Sequence, residues 1–295
     1  MSIDRPGGDV VLSTAGLDRV LEHEAGDLTT TVEAGIRLSA LNERLARHGQ
    51  MLALDPPGDP TIGACLAAEL SGPGRHRYGT PRDLVLGVTL VLADGTVAHS
   101  GGKVVKNVAG FDLGKLFCGS RGTLGLIARA SLRLHPRPDS SRTLVAHLAC
   151  EQEVARAGQA IHRSTLLPSA VDFLPAPAEQ VTECYKGRLG LRFEGGARAV
   201  EAQVGAARSL LLQVTTCHLE DEAGSDAFWV EAGERQLAAK GVVAGEPWEL
   251  PPAGGVTLVR LGAGMAYTEE AEPPAATHAL VERLRREFDP QGVLA

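Results

Sequence analysis

Gly101–Ile127 reads GGKVVKNVAGFDLGKLFCGSRGTLGLI. Gly101, Gly102, Gly110, Gly114, Gly119, Gly122 and Gly125 put seven glycines in 27 positions. Lacking Cβ, glycine adopts positive φ and lets the backbone come close to a ligand. Bare N–H groups in such a run can bond a phosphate group or a ring carbonyl. A turn-rich β region has a similar composition, so composition by itself leaves both readings open.

Working outward, the chain from residue 1 to 138 is Gly-rich with short β-type runs. Val10–Leu12 and Leu28–Glu33 read as strands, the second through its β-branched Thr29, Thr30, Thr31 and Val32. Leu38, Leu41 and Leu45 recur at helical spacing within Leu38–Arg47. Thr61–Leu70 is apolar and Ala-rich and reads as a helix or buried turn-helix. Val85–Leu92, Asp94-Gly95 and Thr96–Ser100 predict a hairpin closed by a type I′ turn. Leu113–Cys118 reads as a short helix and Leu124–Leu134 as a strand. The run His135–Ser141 (HPRPDSS) is a polar, proline-bearing break and sets a boundary between 1–138 and 139–295. Beyond it, strands at Leu144–Leu148, Leu189–Phe193 and Val256–Leu261 alternate with helices at Glu151–Arg163, Ala197–Leu211, Ala227–Ala239 and Thr277–Phe288. That alternation predicts a smaller α+β sandwich. Residues 264–276 read as an acidic, Pro-rich loop.

The length of 295 residues suits two domains or one large one. A content of 44% hydrophobic and 22% charged residues is enough to bury a core, and with only 4% aromatics its volume comes from Leu, Val and Ala. The net charge of −7 argues against a long phosphate-tracking surface, so no nucleic-acid partner is expected. No apolar run approaches the roughly 18 residues of a membrane span. The N-terminus MSIDRPGGDVVLS lacks a basic and an apolar signal region. Cys65, Cys118, Cys150, Cys184 and Cys217 are odd in number, widely spaced and free of any C-x-x-C. A disulfide framework and a Cys-rich zinc or iron–sulfur site are both disfavoured. The chain reads as cytoplasmic, peripheral to a membrane only through partners, with no metal site.

Residue order separates the two readings of the glycine run. Lys106–Leu113 (KNVAGFDL) followed by Gly119–Ile127 (GSRGTLGLI) resembles the flavin-domain signature of the FAD-linked oxidases, with Phe111 where relatives carry Tyr. Asp55–Thr80 (DPPGDPTIGACLAAELSGPGRHRYGT) matches a second block of that family through Thr61, Ile62, Gly63, Ser71, Gly72, Tyr78 and Gly79. Thr31–Gly35 (TVEAG) is a third, and the order of blocks agrees. Leu191–Gly195 and Phe288–Leu294 extend the likeness weakly into the second part. The chain thus resembles the FAD-binding subunits of bacterial glycolate oxidases, flavoproteins of the vanillyl-alcohol-oxidase type.

The resemblance implies an α+β fold: an N-terminally incomplete flavin domain at 1–138 followed by a cap domain at 139–295. It implies FAD as cofactor, with Pro57, Thr61, Ile62, Gly63, Ser71 and Gly72 along its central part and Gly122, Thr123, Leu124, Gly125 and Ile127 beside it through backbone contacts. Lys106 and Asn107 fall in the motif; flavin contact or an ordinary solvated charge and turn residue both remain open. A Gly-rich pyrophosphate loop normally precedes these blocks, and Arg5-Pro6-Gly7-Gly8 reads as linker rather than a relocated loop. The expectation is therefore that this chain by itself binds FAD weakly or not at all. Ala64 replaces a second motif glycine, and relatives run on past the equivalent of Ala295. A Gly125→Val change is expected to remove FAD and leave the fold intact.

No catalytic residue can be named: the H-x-G-D-G-N type segment of catalytic subunits is missing, and His162, His218 and His278 have no suitable neighbours. His76 reads as a solvent-facing loop residue, Cys65 and Cys118 as buried small hydrophobes, and Trp229 and Trp248 as packing residues. The implied role is the FAD-binding subunit of a multi-subunit 2-hydroxy acid (glycolate) oxidase, partnered by a second FAD-linked catalytic subunit and an iron–sulfur subunit. The alternatives are a non-catalytic interaction subunit that has lost FAD, and a stand-alone flavin oxidoreductase of another substrate.

Overall fold

The computed structural model describes residues 12–102, 113–176, 187–222, 227–245, 247–248, 255–269, 278–289 and 293–294. Lys106, Asn107, Phe111, Cys184 and the Arg5–Gly8 run lie outside the described residues. The chain divides into two compact units, one of Met1–Ser71, Gly79–Arg137 and Pro274–Ala295, the other of Gly72–Tyr78 and Pro138–Pro273. Residues 72–78 and 274–295 thus change sides relative to a single cut at 138.

The first unit runs β1 (Val20–Glu24), β2 (Thr29–Glu33), α1 (Leu38–Ala46), β3 (Gln50–Met51) and α2 (Ile62–Ala67). After α3 (Arg75–Tyr78), which belongs to the second unit, come α4 (Pro81–Leu84), β4 (Val85–Val91), β5 (Val97–Gly101), α5 (Leu113–Phe117), β6 (Leu126–Arg133) and β7 (His135–Pro136). Five strands make an antiparallel sheet in the order β1-β2-β6-β4-β5, and β3 pairs with β7 apart from it. Leu38, Leu41 and Leu45 are buried, as their helical spacing predicts, and join Val32, Ile62, Leu66, Leu90, Phe117 and Leu132 in one core. Leu284 and Phe288 of the C-terminal helix His278–Phe288 pack against that core, with the Phe288 ring edge-on to Phe117 at 5.6 Å.

The β4–β5 hairpin forms, but its turn is not type I′. Only Gly95 has positive φ (+83°); Asp94 does not. Gly95 N–H donates to Leu92 O at 3.0 Å and Leu92 N–H to Thr96 O at 2.9 Å, a type I turn followed by a left-handed glycine. The Asp94 carboxylate accepts the Thr96 N–H at 2.8 Å, which holds Asp94 out of the left-handed region.

The second unit contains β8 (Ser140–Leu148), α6 (Glu151–His162), β9 (Ala170–Pro175), β10 (Gly187–Gly195), α7 (Ala197–Val214), β11 (His218–Glu222), α8 (Ala227–Ala238), β12 (Gly241–Ala244), β13 (Val256–Arg260) and β14 (Met265–Thr268). Seven strands form one sheet, ordered β11-β8-β10-β9-β13-β14-β12. Strand alternation sorts its two faces. Leu144, Ala146 and Leu148 with Leu189, Leu191 and Phe193 meet α6 and α7, while Val145, Leu174, Leu258 and Tyr267 meet Phe228, Trp229 and Ala232 of α8. Residues 265–268 are a strand and not part of a loop: Ala266 and Tyr267 are buried between β12 and β13.

Glu153 fixes α6. It is 3% exposed, and its carboxylate accepts the Ala149 N–H (2.8 Å), the Thr216 N–H (2.8 Å) and the Thr216 hydroxyl (2.7 Å). Burial pushes its pKa up, but these donors outweigh it and hold the carboxyl below the ordinary range. Because the folded value is depressed, this stabilisation is present above the unfolded value and lost as pH falls through the folded one. Glu153→Ala is expected to cost about 1–2 kcal/mol near neutral pH, since the half-buried Ala149 N–H and the exposed Thr216 N–H and hydroxyl lose their acceptor. Urea unfolding at a series of pH values checks it: the gap between wild type and variant should shrink in acid.

Candidate functional site

Three segments meet at α2. The segment after β2 provides Ala34, whose N–H donates to Ala128 O (2.9 Å) and whose carbonyl accepts the Gly63 N–H (2.6 Å). At the other end of α2, Leu66 O and Ala67 O accept the N–H groups of Gly119 (3.0 Å) and Arg121 (2.7 Å). The helix closes on itself as well, with Glu69 N–H to Leu66 O and Leu70 N–H to Cys65 O, the Schellman pattern. Glu69 takes the left-handed position (φ +52°) where glycine is usual. Backbone hydrogen bonds therefore stitch together residues 34, 61–70 and 119–128, the three blocks singled out by sequence.

Within this seam the expected cofactor residues differ in what they can offer. Thr61 caps α2, its hydroxyl accepting the Ala64 N–H at 3.2 Å. Ile62 N–H donates to Ile36 O and Gly63 N–H to Ala34 O, so neither is available to a ligand. A Cβ on Gly63 would lie 3.0 Å from Ala34 Cβ and O, which gives this glycine a packing reason. Ile62 and Cys65 sit in the core, Ser71 is buried, and Pro57 is half-buried. The last expected residue of this block, Gly72, belongs to the second unit.

The 119–127 segment is different. Gly119 and Gly122 both have φ +80° and Arg121 has φ +54°. Thr123 ties the turn, its N–H and hydroxyl both donating to Ser120 O at 3.0 and 2.7 Å. Among the described residues, the N–H groups of Gly122 and Leu124 meet no acceptor, and a Cβ on Gly122 would meet nothing within 4 Å. Free donors beside open backbone fit a ligand that presents acceptors. Gly125 (φ +153°) faces inward instead: its Cβ would lie 3.0 Å from Val91 O and 3.1 Å from Phe117. A side chain there acts on packing, contrary to the expectation of an intact fold. Ile127 is a buried strand residue of β6.

His76 is not a solvent-facing loop residue. It is half-buried in the second unit, its ring edge-on to Trp248 at 5.5 Å and pressed against Gly262. Burial lowers its pKa, partly opposed by a hydrogen bond with the Gly262 backbone. Its neighbours Arg77 and Tyr78 bind Glu194, through Arg77 Nη1 to the carbonyl (2.7 Å) and Tyr78 Oη to the carboxylate (3.3 Å). Burial, then the Glu194 charge, pushes the Tyr78 phenol up to about 12. Trp229 is buried, with Nε1 donating to Thr143 Oγ1 at 2.9 Å. Cys65 is fully buried and its thiol is pushed up to about 12, chiefly by burial. Its alkylation in the native protein should be slower than in the urea-unfolded chain by orders of magnitude, as mass spectrometry would show.

Residues 2–101 match the family model described as FAD binding domain. The chain is 32% identical over 237 residues to a probable mitochondrial D-lactate dehydrogenase of Danio rerio, covering 77% of this chain and 46% of that protein. It is 33% identical over 222 residues to glycolate oxidase subunit GlcE of Escherichia coli (strain K12), 74% of this chain and 56% of the relative. Over 186 residues it is 33% identical to glycolate oxidase subunit GlcD of Bacillus subtilis (strain 168), 62% and 39% respectively. The chain spans about half the length of these curated relatives. Among solved structures, alkyldihydroxyacetonephosphate synthase superposes with a TM-score of 0.67 at 14% identity, covering 94% of this chain and 66% of that one, a likeness of fold. No described helix is long and apolar enough to cross a membrane.

Proposed function

We propose, from a chain whose residues 2–101 match the FAD binding domain model, that this protein is an FAD-binding subunit of a multi-subunit 2-hydroxy acid oxidoreductase with glycolate or D-lactate as substrate type. The observation that carries it is the seam at α2, where the family's three sequence blocks are joined by backbone hydrogen bonds and the Gly122 and Leu124 N–H groups stay available. Relatives named as glycolate oxidase subunits and as D-lactate dehydrogenases support the substrate class. Gly122, Thr123 and Leu124 would hold the cofactor through backbone, with Thr61, Gly63 and Ser71 shaping the wall beside it. Bound there, FAD supplies the two-electron chemistry of oxidising an alcohol to a carbonyl.

The residues of the chain position the cofactor; the onward electron path runs through a partner. Five widely spaced cysteines suit no cluster, so an iron–sulfur centre serving as the next carrier would lie on a separate subunit. A second FAD-linked subunit would supply the substrate-binding histidines that this sequence lacks. The test has two stages. Titrating the purified chain with FAD should quench flavin fluorescence, and co-expression with a second FAD-linked subunit and an iron–sulfur subunit should give a complex that oxidises glycolate or D-lactate with a dye acceptor. A chain that takes up no flavin in either state would overturn the reading.

A further inference from the structure

Two buried polar atoms in the α2 seam have no protein partner. Glu69 Oε2 and Ser120 Oγ are both shielded from solvent and neither makes a hydrogen bond among the described residues. Glu69 packs beside this turn: a Cβ on Gly119 would lie 3.8 Å from Glu69 Cβ, and Ser120 is the next residue. The seam is held in register by Gly119 N–H to Leu66 O and Arg121 N–H to Ala67 O. The other Glu69 oxygen accepts the Arg82 N–H at 3.4 Å, so one oxygen is anchored and the other is left over. Glu69 also sits at φ +52°, where a glycine would be relaxed. A charged side chain in a strained position, with a desolvated and unanswered acceptor, is costly unless something completes it.

We infer that Glu69 and Ser120 form a polar niche that accepts a sugar hydroxyl of the bound flavin nucleotide, an inference that rests on the FAD-binding reading above. An ionised carboxylate only accepts hydrogen bonds, and Ser120 can accept or donate. That pair repels a pyrophosphate and has no use for the apolar edge of a flavin ring. The donors it suits are hydroxyls, which the nucleotide carries on its ribityl chain and on the ribose of its adenosine half. The N–H groups of Gly122 and Leu124, without an acceptor among the described residues, lie two and four positions beyond Ser120, so an acceptor for a hydroxyl is followed along one segment by donors for the nucleotide's acceptors.

The test separates a binding role from a structural one by sign. Glu69→Gly relieves the left-handed strain and should raise the Tm by roughly 2 °C or more. The same variant should weaken FAD roughly tenfold to a hundredfold in a fluorescence titration, because a charge-assisted hydrogen bond is lost. Glu69→Gln should weaken FAD with little change in Tm, and Ser120→Ala should weaken it roughly threefold to tenfold. Repeating the titrations with FMN locates the hydroxyl: losses for both nucleotides place it on the ribityl chain, losses for FAD alone on the adenosine ribose. If wild type binds FAD and all three variants bind it equally well, the niche holds only water and the inference is wrong. If wild type binds no flavin either alone or co-expressed with its partner subunits, the FAD-binding reading itself fails and this inference falls with it.

Discussion

Replacing Gly190 with valine is expected to destabilise the second unit strongly. Gly190 is at the middle of β10, opposite Val145 of β8 and Asp172 of β9, so it cannot move without shifting three strands. A Cβ there would lie 2.6 and 2.7 Å from two atoms of the Phe228 ring, with a third closer still. The ring has nowhere to retreat. Phe228 is fully buried and packs edge-on against Trp229 at 4.9 Å. Trp229 is tied to Thr143, and Arg235 of α8 donates to Pro175 O (2.7 Å) and Thr257 O (2.9 Å). Overpacking typically costs 1–3 kcal/mol when neighbours can adjust. With a strand below and an anchored helix above, at least about 3 kcal/mol is expected, a large part of the 5–15 kcal/mol that holds most domains folded. Denaturant melts and limited proteolysis should show the loss. Gly190→Ala combined with Phe228→Leu should recover part of it, and a Gly190→Val chain as stable as wild type would disprove the notch.

The sequence made the periodic elements legible and the non-local ones obscure. Helix α1 could be read because Leu38, Leu41 and Leu45 face one core, and the β4–β5 hairpin because Asp94-Gly95 punctuates two apolar runs. The turn type escaped because Asp94 can satisfy a neighbouring N–H from an ordinary conformation. Strand β9 was missed since its first five residues are all buried, which erases alternation. The transfer of residues 72–78 to the second unit depends on Arg77 and Tyr78 meeting Glu194, more than a hundred positions away. No local pattern announces such a contact. At the candidate site the words of the motif singled out segments that the fold brings together by backbone hydrogen bonds, yet not Glu69 or Ser120, whose interest lies in what they fail to bond.

Glycines show the same divide between what a motif states and what geometry decides. Gly122 and Gly125 stand three apart in GTLG and look equivalent in sequence. In the fold Gly122 opens outward with room for a side chain, whereas Gly125 turns toward Val91 and Phe117. Gly125→Val should therefore destabilise the first unit by roughly 2–4 kcal/mol, and any loss of FAD would follow the loss of fold. Gly122→Val should behave otherwise. Forcing a β-branched residue to φ +80° costs about 1–2 kcal/mol locally, so the melting temperature should fall by only several degrees. To escape that strain the peptide would rotate, turning away the N–H groups of Gly122 and Leu124. Losing two such donors at about 1 kcal/mol each, with a side chain placed where the cofactor approaches, should weaken FAD on the order of a hundredfold. Gly122→Ala should fall between valine and wild type, because alanine shares the strain and fills less space. A fluorescence titration paired with a thermal melt for each variant reads both quantities. Gly122→Val with wild-type affinity would remove the Gly122–Leu124 backbone from the cofactor site, whatever happened at Gly125.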